Sequence, residues 1–465
     1  MAKKKVIKIK TGALSRGFGL AKLGLESGAK WATLSASKLI KSKEEAQKQS
    51  EEFLLGALSR LSEELGQLKG SLMKVGQLLS TYGEHFLPST ANDILKGLQN
   101  QSPALDWNSI EPILQIELGK DRLQELEIGE EAVACASLGQ VHRGKIKKTG
   151  EIVAIKIQYP GVDRAVDSDL KALKSILAMA QIIPKEFNMT PIFSEVKDML
   201  NRELDYQQEL VTTQWFHNKL KSNPNYIVPK TYKKFSNRRV MVTSYQDGVN
   251  LDGSEVMSLD QTRRNRLGRL FFEYYLNEVF RWARVQTDPH FGNYKVRLKE
   301  DGNDQLILLD FGAVRELEPS FTRPYRNMIR GLVVDDHQAF IKSAGELGFI
   351  LESDPESLKK IFYDFCQLIV EPFREQRDSE FHSEDGEYNW GASNLPSKVL
   401  TVGKKLILSF KLRTPPSELV FLDRKLGGVF ITLSKLRVKS DWRDLLLMYL
   451  NETEEPEIVA PSPNC

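Results

Sequence analysis

Two loops decide the fold. The first reads Gln286-Thr287-Asp288-Pro289-His290-Phe291-Gly292-Asn293, and the second closes the run Leu306-Ile307-Leu308-Leu309-Asp310-Phe311-Gly312. Asp288 and Asn293 sit five residues apart, and Asp310 follows Asp288 by 22 residues. That distance predicts a β-hairpin between the loops. The residue types predict a division of labour: Asp288 orients a nucleophile, while Asn293 and Asp310 hold Mg²⁺ on the phosphates of ATP. Phosphoryl transfer needs charge neutralisation and alignment more than covalent help, and this set supplies both.

Upstream segments fit the same chemistry. Val153-Ala154-Ile155-Lys156 places a lysine on an apolar strand, where it can reach nucleotide phosphates. The hairpin that carries it is read from Val133-Ala134-Cys135 through the turn Lys148-Thr149-Gly150 to Tyr159. Ahead of Lys156 lies a loop of small residues, Ala134, Cys135, Ala136, Ser137, Leu138, Gly139 and Gln140. Small side chains let backbone approach phosphates, although alanine restricts φ where glycine does not; a simple tight turn is the alternative. Phe193, Val196, Leu200, Leu204 and Val211 mark one helix face. Glu203 and Asp205 then fall at about 100° to either side of Leu204, given roughly 3.6 residues per turn. One acid of the cluster Glu203, Asp205, Glu209 is expected to pair with Lys156, and another to meet Lys74.

Composition bounds the rest. The 465 residues are 41% hydrophobic and 27% charged, ordinary for a soluble globular chain. No apolar run is long enough to span a bilayer. Three scattered cysteines, 135, 366 and 465, argue for a reducing compartment. The six histidines form no metal-spaced pair, so zinc is not expected. Residues 1–50 carry 12 Lys/Arg against 3 Asp/Glu, a local +9 in a chain of net +3, so the remainder is acidic. The arm reads either as an amphipathic segment on an anionic membrane surface or as a solvated tail. No nucleic-acid partner is expected. Cytoplasmic placement with peripheral membrane contact is.

Organisation along the chain follows texture. Residues 1–48 form the basic arm. Leu54, Leu58, Leu61, Leu65, Leu68, Leu72, Val75 and Leu79 repeat at four and three, predicting one long helix over 51–82. Beside that stripe run Gly66, Gly70, Lys74 and Gln77, either a close-packed functional edge or a plain polar one. A helical extension is placed at 49–130, with short amphipathic segments over 103–130. A strand-rich lobe covers 131–250 and a helical lobe with both loops covers 251–450. A disordered tail is placed at 451–465. The class is α+β.

The ordered set resembles the protein kinases, with departures. Gln286 stands where a kinase has the His of His-Arg-Asp, the Gly-rich loop is replaced, and no Ala-Pro-Glu follows Asp310-Phe311-Gly312. Those departures resemble the UbiB, or ADCK-type (AarF-like), atypical kinases over roughly residues 15–445. Lys74-Val75-Gly76-Gln77 is similar to that family's K-x-G-Q signature, and Ala134-Cys135-Ala136-Ser137 to its alanine-rich loop. Glu203-Leu204-Asp205 is similar to its E-x-D motif. The resemblance implies a protein-kinase-like two-lobe fold whose helical N-terminal extension folds over the nucleotide site. It implies that Lys156 holds phosphates, that Glu209 is its partner, and that Glu203 and Asp205 engage Lys74 and Gln77. It also implies an atypical kinase or ATPase supporting ubiquinone biosynthesis or lipid homeostasis, with lipid or quinone-precursor contacts and quinone-biosynthesis proteins as partners. A nucleotide-binding scaffold with little turnover and a true protein kinase are the alternatives.

Overall fold

The computed structural model describes residues 104–136, 138–164, 166–167, 170–171, 174, 190–376, 379–409 and 417–452. The basic arm, the helix expected over 51–82 with Lys74 and Gln77, Ser137 and residues 453–465 lie outside them. The chain parts into two compact units, residues 1–210 with 230–245, and residues 211–229 with 246–465.

Among the described residues the first unit begins with helix α1, Trp107–Gln124, kinked at Gly119 (φ 72) and capped by Asp106, whose carboxylate accepts the Ser109 N–H at 2.9 Å. Such a cap is worth about 1 kcal/mol. Ile110, Leu114 and Leu118 are its buried stripe. An antiparallel sheet follows, in the order β1 Leu126–Cys135, β2 Gly139–Ile146, β3 Ile152–Gln158 and, from further along the chain, β4 Val240–Ser244. Val153, Ile155 and Ile157 are fully buried on one face of β3, which sends Lys156 to the other. Gly150 closes the β2–β3 turn at φ 76, a conformation open to glycine.

Two expectations are corrected here. Residues 126–130, read as part of an amphipathic run, belong to strand β1. β1 is mostly exposed and lacks a buried alternating face; pairing with β2, not its own pattern, makes it a strand. The second correction concerns the helix through Leu204. Phe193, Val196, Leu200 and Leu204 are buried, but helix α2, Thr190–Glu203, stops there and α3, Tyr206–Leu220, starts afresh. Asp205 forces the restart: its Oδ1 accepts the N–H groups of Gln207 and Gln208, both at 3.1 Å. Glu203 and Asp205 therefore do not flank Leu204 at helical angles.

The second unit takes over α3 from Val211. Its centre is helix α4, Gln261–Leu276, capped by Asp260. Leu267, Leu270, Phe271, Phe272, Tyr274, Tyr275 and Leu276 of α4 are all buried. Phe272 stacks on Phe373 at 5.2 Å and on Trp442 at 5.4 Å; burying each such ring stabilises by roughly 1.5–3 kcal/mol. α4 ends in one wider turn, Asn277–Arg281, closed by the Trp282 N–H on the Asn277 carbonyl at 2.8 Å.

Then come β5 Arg284–Gln286, the hairpin β6 Tyr294–Arg297 and β7 Gln305–Leu308, and β8 Val314–Glu316. β6 and β7 form the hairpin expected between the two loops, Tyr294 facing Leu308. Short strands Tyr226–Ile227 and Val249–Asn250 flank it, while β5 pairs with β8. Six helices complete the unit: α5 Pro319–Val333, α6 His337–Glu346, α7 Glu356–Ile369, α8 Leu395–Ser409, α9 Ser417–Lys435 and α10 Arg443–Leu450. No described helix is long and apolar enough to cross a membrane.

Candidate active site

In the first unit, Lys156 lies between Val141 on β2 and Met241 on β4. Its Nζ donates to both carboxylate oxygens of Glu209, at 2.7 and 2.8 Å. Glu209 is in the first turn of α3 and 3% exposed; Lys156 is 20% exposed. The Asp205 cap thus does two jobs: it starts α3, and it sets the phase that turns Glu209 toward β3. The lysine also lies 4.8 Å from the centre of the Tyr206 ring, a cation–π contact.

The small-residue segment is a strand, a turn and a strand. Ala134 pairs with Val141 and Cys135 with Gln140, while the Ala136 N–H donates to the Gly139 carbonyl at 2.8 Å. Gly139 packs against β3 so tightly that a Cβ would stand 2.4 Å from the Ile157 carbonyl oxygen. Two residues hold this hairpin: Gln140, the last of the small-residue segment, and His142, which the sequence did not single out. Gln140 is fully buried and exchanges hydrogen bonds with the Leu105 backbone, accepting its N–H at 2.8 Å and donating to its carbonyl at 3.2 Å. Its amide nitrogen also lies 2.9 Å from His142 Nε2. His142 Nδ1 is 2.7 Å from the Gly129 carbonyl. Those partners fix the neutral tautomer, with Nδ1–H donating and Nε2 accepting. Burial pushes the imidazole below its ordinary value, against the Gly129 contact.

In the second unit, Gln286 organises both loops. The side chain is buried; its carbonyl oxygen accepts the Asp288 N–H at 2.6 Å, and its amide donates to the Asp310 carbonyl at 3.2 Å. A neutral amide thus does with one donor and one acceptor what ties the two loops together. Thr287 adds a second tie, its hydroxyl and N–H both reaching the Ala313 carbonyl. Phe311 is buried and stacks on Phe216 of α3 at 4.5 Å.

Asn293 Nδ2 donates to the Asp288 carbonyl at 2.9 Å, which commits the other end of the amide, Oδ1, to accepting. Asp310 Oδ1 accepts the Gly312 N–H at 2.9 Å. An amide oxygen and a carboxylate are hard oxygen donors of the kind Mg²⁺ takes alongside phosphate oxygens. Among the described residues no group of three or more His, Cys, Asp or Glu could hold a metal by itself.

Three functional neighbours escaped sequence reading. Arg424 Nη2 donates to Asp288 Oδ1 at 2.7 Å. Lys425 and Glu278 form a fully buried ion pair at 2.7 Å, and Glu278 accepts the Gln286 N–H at 2.9 Å. The only signal was the charged triplet Asp423-Arg424-Lys425 interrupting an otherwise apolar helix.

Comparison with known proteins places these features in a family. The model for the ABC1 atypical kinase-like domain matches residues 97–344, more than half the chain. The zebrafish (Danio rerio) protein named atypical kinase COQ8B, mitochondrial, is 28% identical over 84% of this chain and 60% of its own length. The Saccharomyces cerevisiae protein named atypical kinase COQ8, mitochondrial, is 27% identical over 82% of this chain and 73% of its own. The chain thus spans about three fifths of the first relative and nearly three quarters of the second. A solved structure described as the complex of Rv3197 and erythromycin from Mycobacterium tuberculosis matches with a TM-score of 0.57 at 24% identity, over 87% of this chain and 97% of that one, a likeness of fold. With its kinase-like α+β fold, the chain belongs to the ABC1 atypical kinase-like family, the UbiB or ADCK-type kinases.

Proposed function

We propose that this chain is a UbiB-type atypical kinase or ATPase that binds ATP with Mg²⁺ and supports isoprenoid quinone biosynthesis. One observation carries the chemistry: Gln286 ties the Asp288 loop to the Asp310 loop at 2.6 and 3.2 Å. Such a tie costs folding freedom and is warranted where two loops must act on one group.

In this reading Lys156, held by Glu209, binds phosphate oxygens from its strand. The end of β1 at Ala134 and Cys135, with Ala136 after it, presents backbone to the same phosphates, and Ser137, outside the described residues, is assigned to the same segment. Asn293 and Asp310 would hold Mg²⁺, which supplies neutralisation of the phosphate charge when bound. Asp288 orients the attacking oxygen. Glu203 and Asp205 are assigned as partners of Lys74 and Gln77, which lie outside the described residues. The relatives named as COQ8 atypical kinases support the quinone pathway by family analogy; a lipid-like acceptor and quinone-biosynthesis partners are part of the same proposal.

The direct test is Mg²⁺-dependent phosphate release from ATP by the purified chain, with and without liposomes. Asp310→Asn is expected to abolish it. Wild-type turnover in that variant, with its fold intact by circular dichroism, removes Asp310 as a metal ligand. For the pathway, cells lacking the gene are expected to lose quinone or to accumulate prenylated precursors; unchanged pools remove the quinone assignment.

A further inference from the structure

We propose that helix α9 is a positioning element of the catalytic loop, and that Arg424 is the residue through which it holds the Asp288 carboxylate. α9 lies beyond residue 344, where the family match ends. Three contacts from this helix, two of them ion pairs and one steric, bear on the loop directly or through Glu278.

The first is charged. Arg424 Nη2 meets Asp288 Oδ1 at 2.7 Å, with side chains only 14% and 13% exposed. A pair this sheltered is screened much less than a surface pair. The second is buried. Lys425 pairs with Glu278, which in turn holds the Gln286 N–H at 2.9 Å. Lys425 also lies 5.1 Å from the centre of the Tyr274 ring. The third is steric. Gly428 abuts Pro289, the residue after Asp288; a Cβ on Gly428 would stand 2.2 Å from Pro289 Cβ. Residues 424 and 428 are one turn apart on one helix face, with 425 beside them.

Gln286, Asp288 and Pro289 are thus each fixed from α9, directly or through Glu278. A carboxylate that orients a nucleophile must stay within a fraction of an ångström of its productive place. Arginine suits the task, because its guanidinium is planar, always charged and directional. Arg424 touches no reacting atom; it acts through Asp288. The kinetic consequence rests on the proposed phosphoryl chemistry, whereas the mechanical one does not.

The experiment compares wild type with Arg424→Met, Arg424→Lys, Asp288→Asn and Asp288→Asn/Arg424→Met. Amide hydrogen exchange over residues 286–293 is read on the free protein, and phosphate release is read with MgATP. Arg424→Met is expected to speed exchange in that segment about tenfold while other segments keep theirs. It is also expected to lower kcat on the order of ten- to a hundredfold with KM for ATP nearly unchanged. Arg424→Lys recovers part of both effects. In the Asp288→Asn background, Arg424→Met adds no further loss of kcat. Unchanged exchange in Arg424→Met, or a fully additive loss in the double variant, overturns the proposal. Faster exchange in Arg424→Met with a wild type that releases no phosphate upholds the clamp and removes the phosphoryl reading instead. Should Arg424→Met not fold, Arg424→Lys carries the test, and wild-type exchange and kcat in it overturn the proposal.

Discussion

Glu278 and Lys425 form a fully buried ion pair at 2.7 Å, 147 positions apart in the chain. Burial pushes the Glu278 carboxyl above its ordinary value, and the Lys425 ammonium opposes that rise. Removing one partner strands the other charge. Lys425→Met is expected to destabilise the protein by roughly 3–5 kcal/mol, measured by urea unfolding. Lys425→Met/Glu278→Gln is expected to recover much of that, since glutamine still accepts the Gln286 N–H without a charge. A raised carboxyl binds its proton more tightly folded than unfolded. Lys425→Met should therefore lose stability as pH rises through the interval above the unfolded carboxyl value, and regain it below. A double variant no more stable than the single one would show that the pair contributes through packing rather than charge.

The Lys156–Glu209 bridge makes a second forecast. Glu209→Gln removes the charge from the lysine's partner, and Lys156→Met removes the proposed phosphate donor. Lost charge-assisted hydrogen bonds are worth roughly 1.5–3 kcal/mol each, so Lys156→Met is expected to weaken ATP binding about ten- to a hundredfold. Titration calorimetry decides it; an unchanged dissociation constant removes Lys156 from the phosphate site.

His142 makes the first unit sensitive to acid. Its neutral form is satisfied on both ring nitrogens, and protonating Nε2 would set an N–H against the Gln140 amide. The folded-state pKa lies below the ordinary His value, so the unfolded chain binds the proton first. Stability is full above about 6.5, the unfolded value, and is lost as pH falls below it toward the folded value. His142→Gln is expected to flatten the fall in unfolding midpoint between about pH 7.5 and 5.5. An equally steep fall in the variant would assign the acid sensitivity elsewhere.

The Ala136 turn is the place to loosen the phosphate-side backbone. Its N–H already closes the turn on Gly139, so Ala136→Gly keeps the bond and adds freedom, at about 0.5–1 kcal/mol of stability. ATP and ADP affinities are expected to change in Ala136→Gly. Ala134→Gly acts in a paired strand position and is expected to change them less. Identical nucleotide affinities in wild type and both variants would count against a phosphate-cradling role.

Much of the molecule was legible in the chain. Val153-Ala154-Ile155-Lys156 gives a strand by alternation, Lys148-Thr149-Gly150 gives its turn, and the 22-residue interval from Asp288 to Asp310 leaves room for the hairpin found. These are local signals, because period and turn chemistry act within a few residues. Where a local signal competed with another, reading failed. The apolar stripe through Leu204 suggested one helix, yet the Asp205 carboxylate offered the backbone a better partner and cut it in two. β1 carried too little pattern of its own and became a strand by pairing.

By itself, then, the sequence determined the α+β class, the loops bearing Asp288, Asn293 and Asp310, and the strand bearing Lys156. The resemblance had already implied Glu209 as the partner of Lys156; how the holders are placed, and who the others are, only the tertiary structure decided. Glu209 turns toward Lys156 because Asp205 restarts the helix, and Gln286 joins two loops that are 24 residues apart. Arg424 reaches Asp288, and Lys425 reaches Glu278, across more than 130 residues. Hydrogen bonds and ion pairs are made in space at under 3.5 Å, and such partners leave no periodic trace in the chain that brings them together.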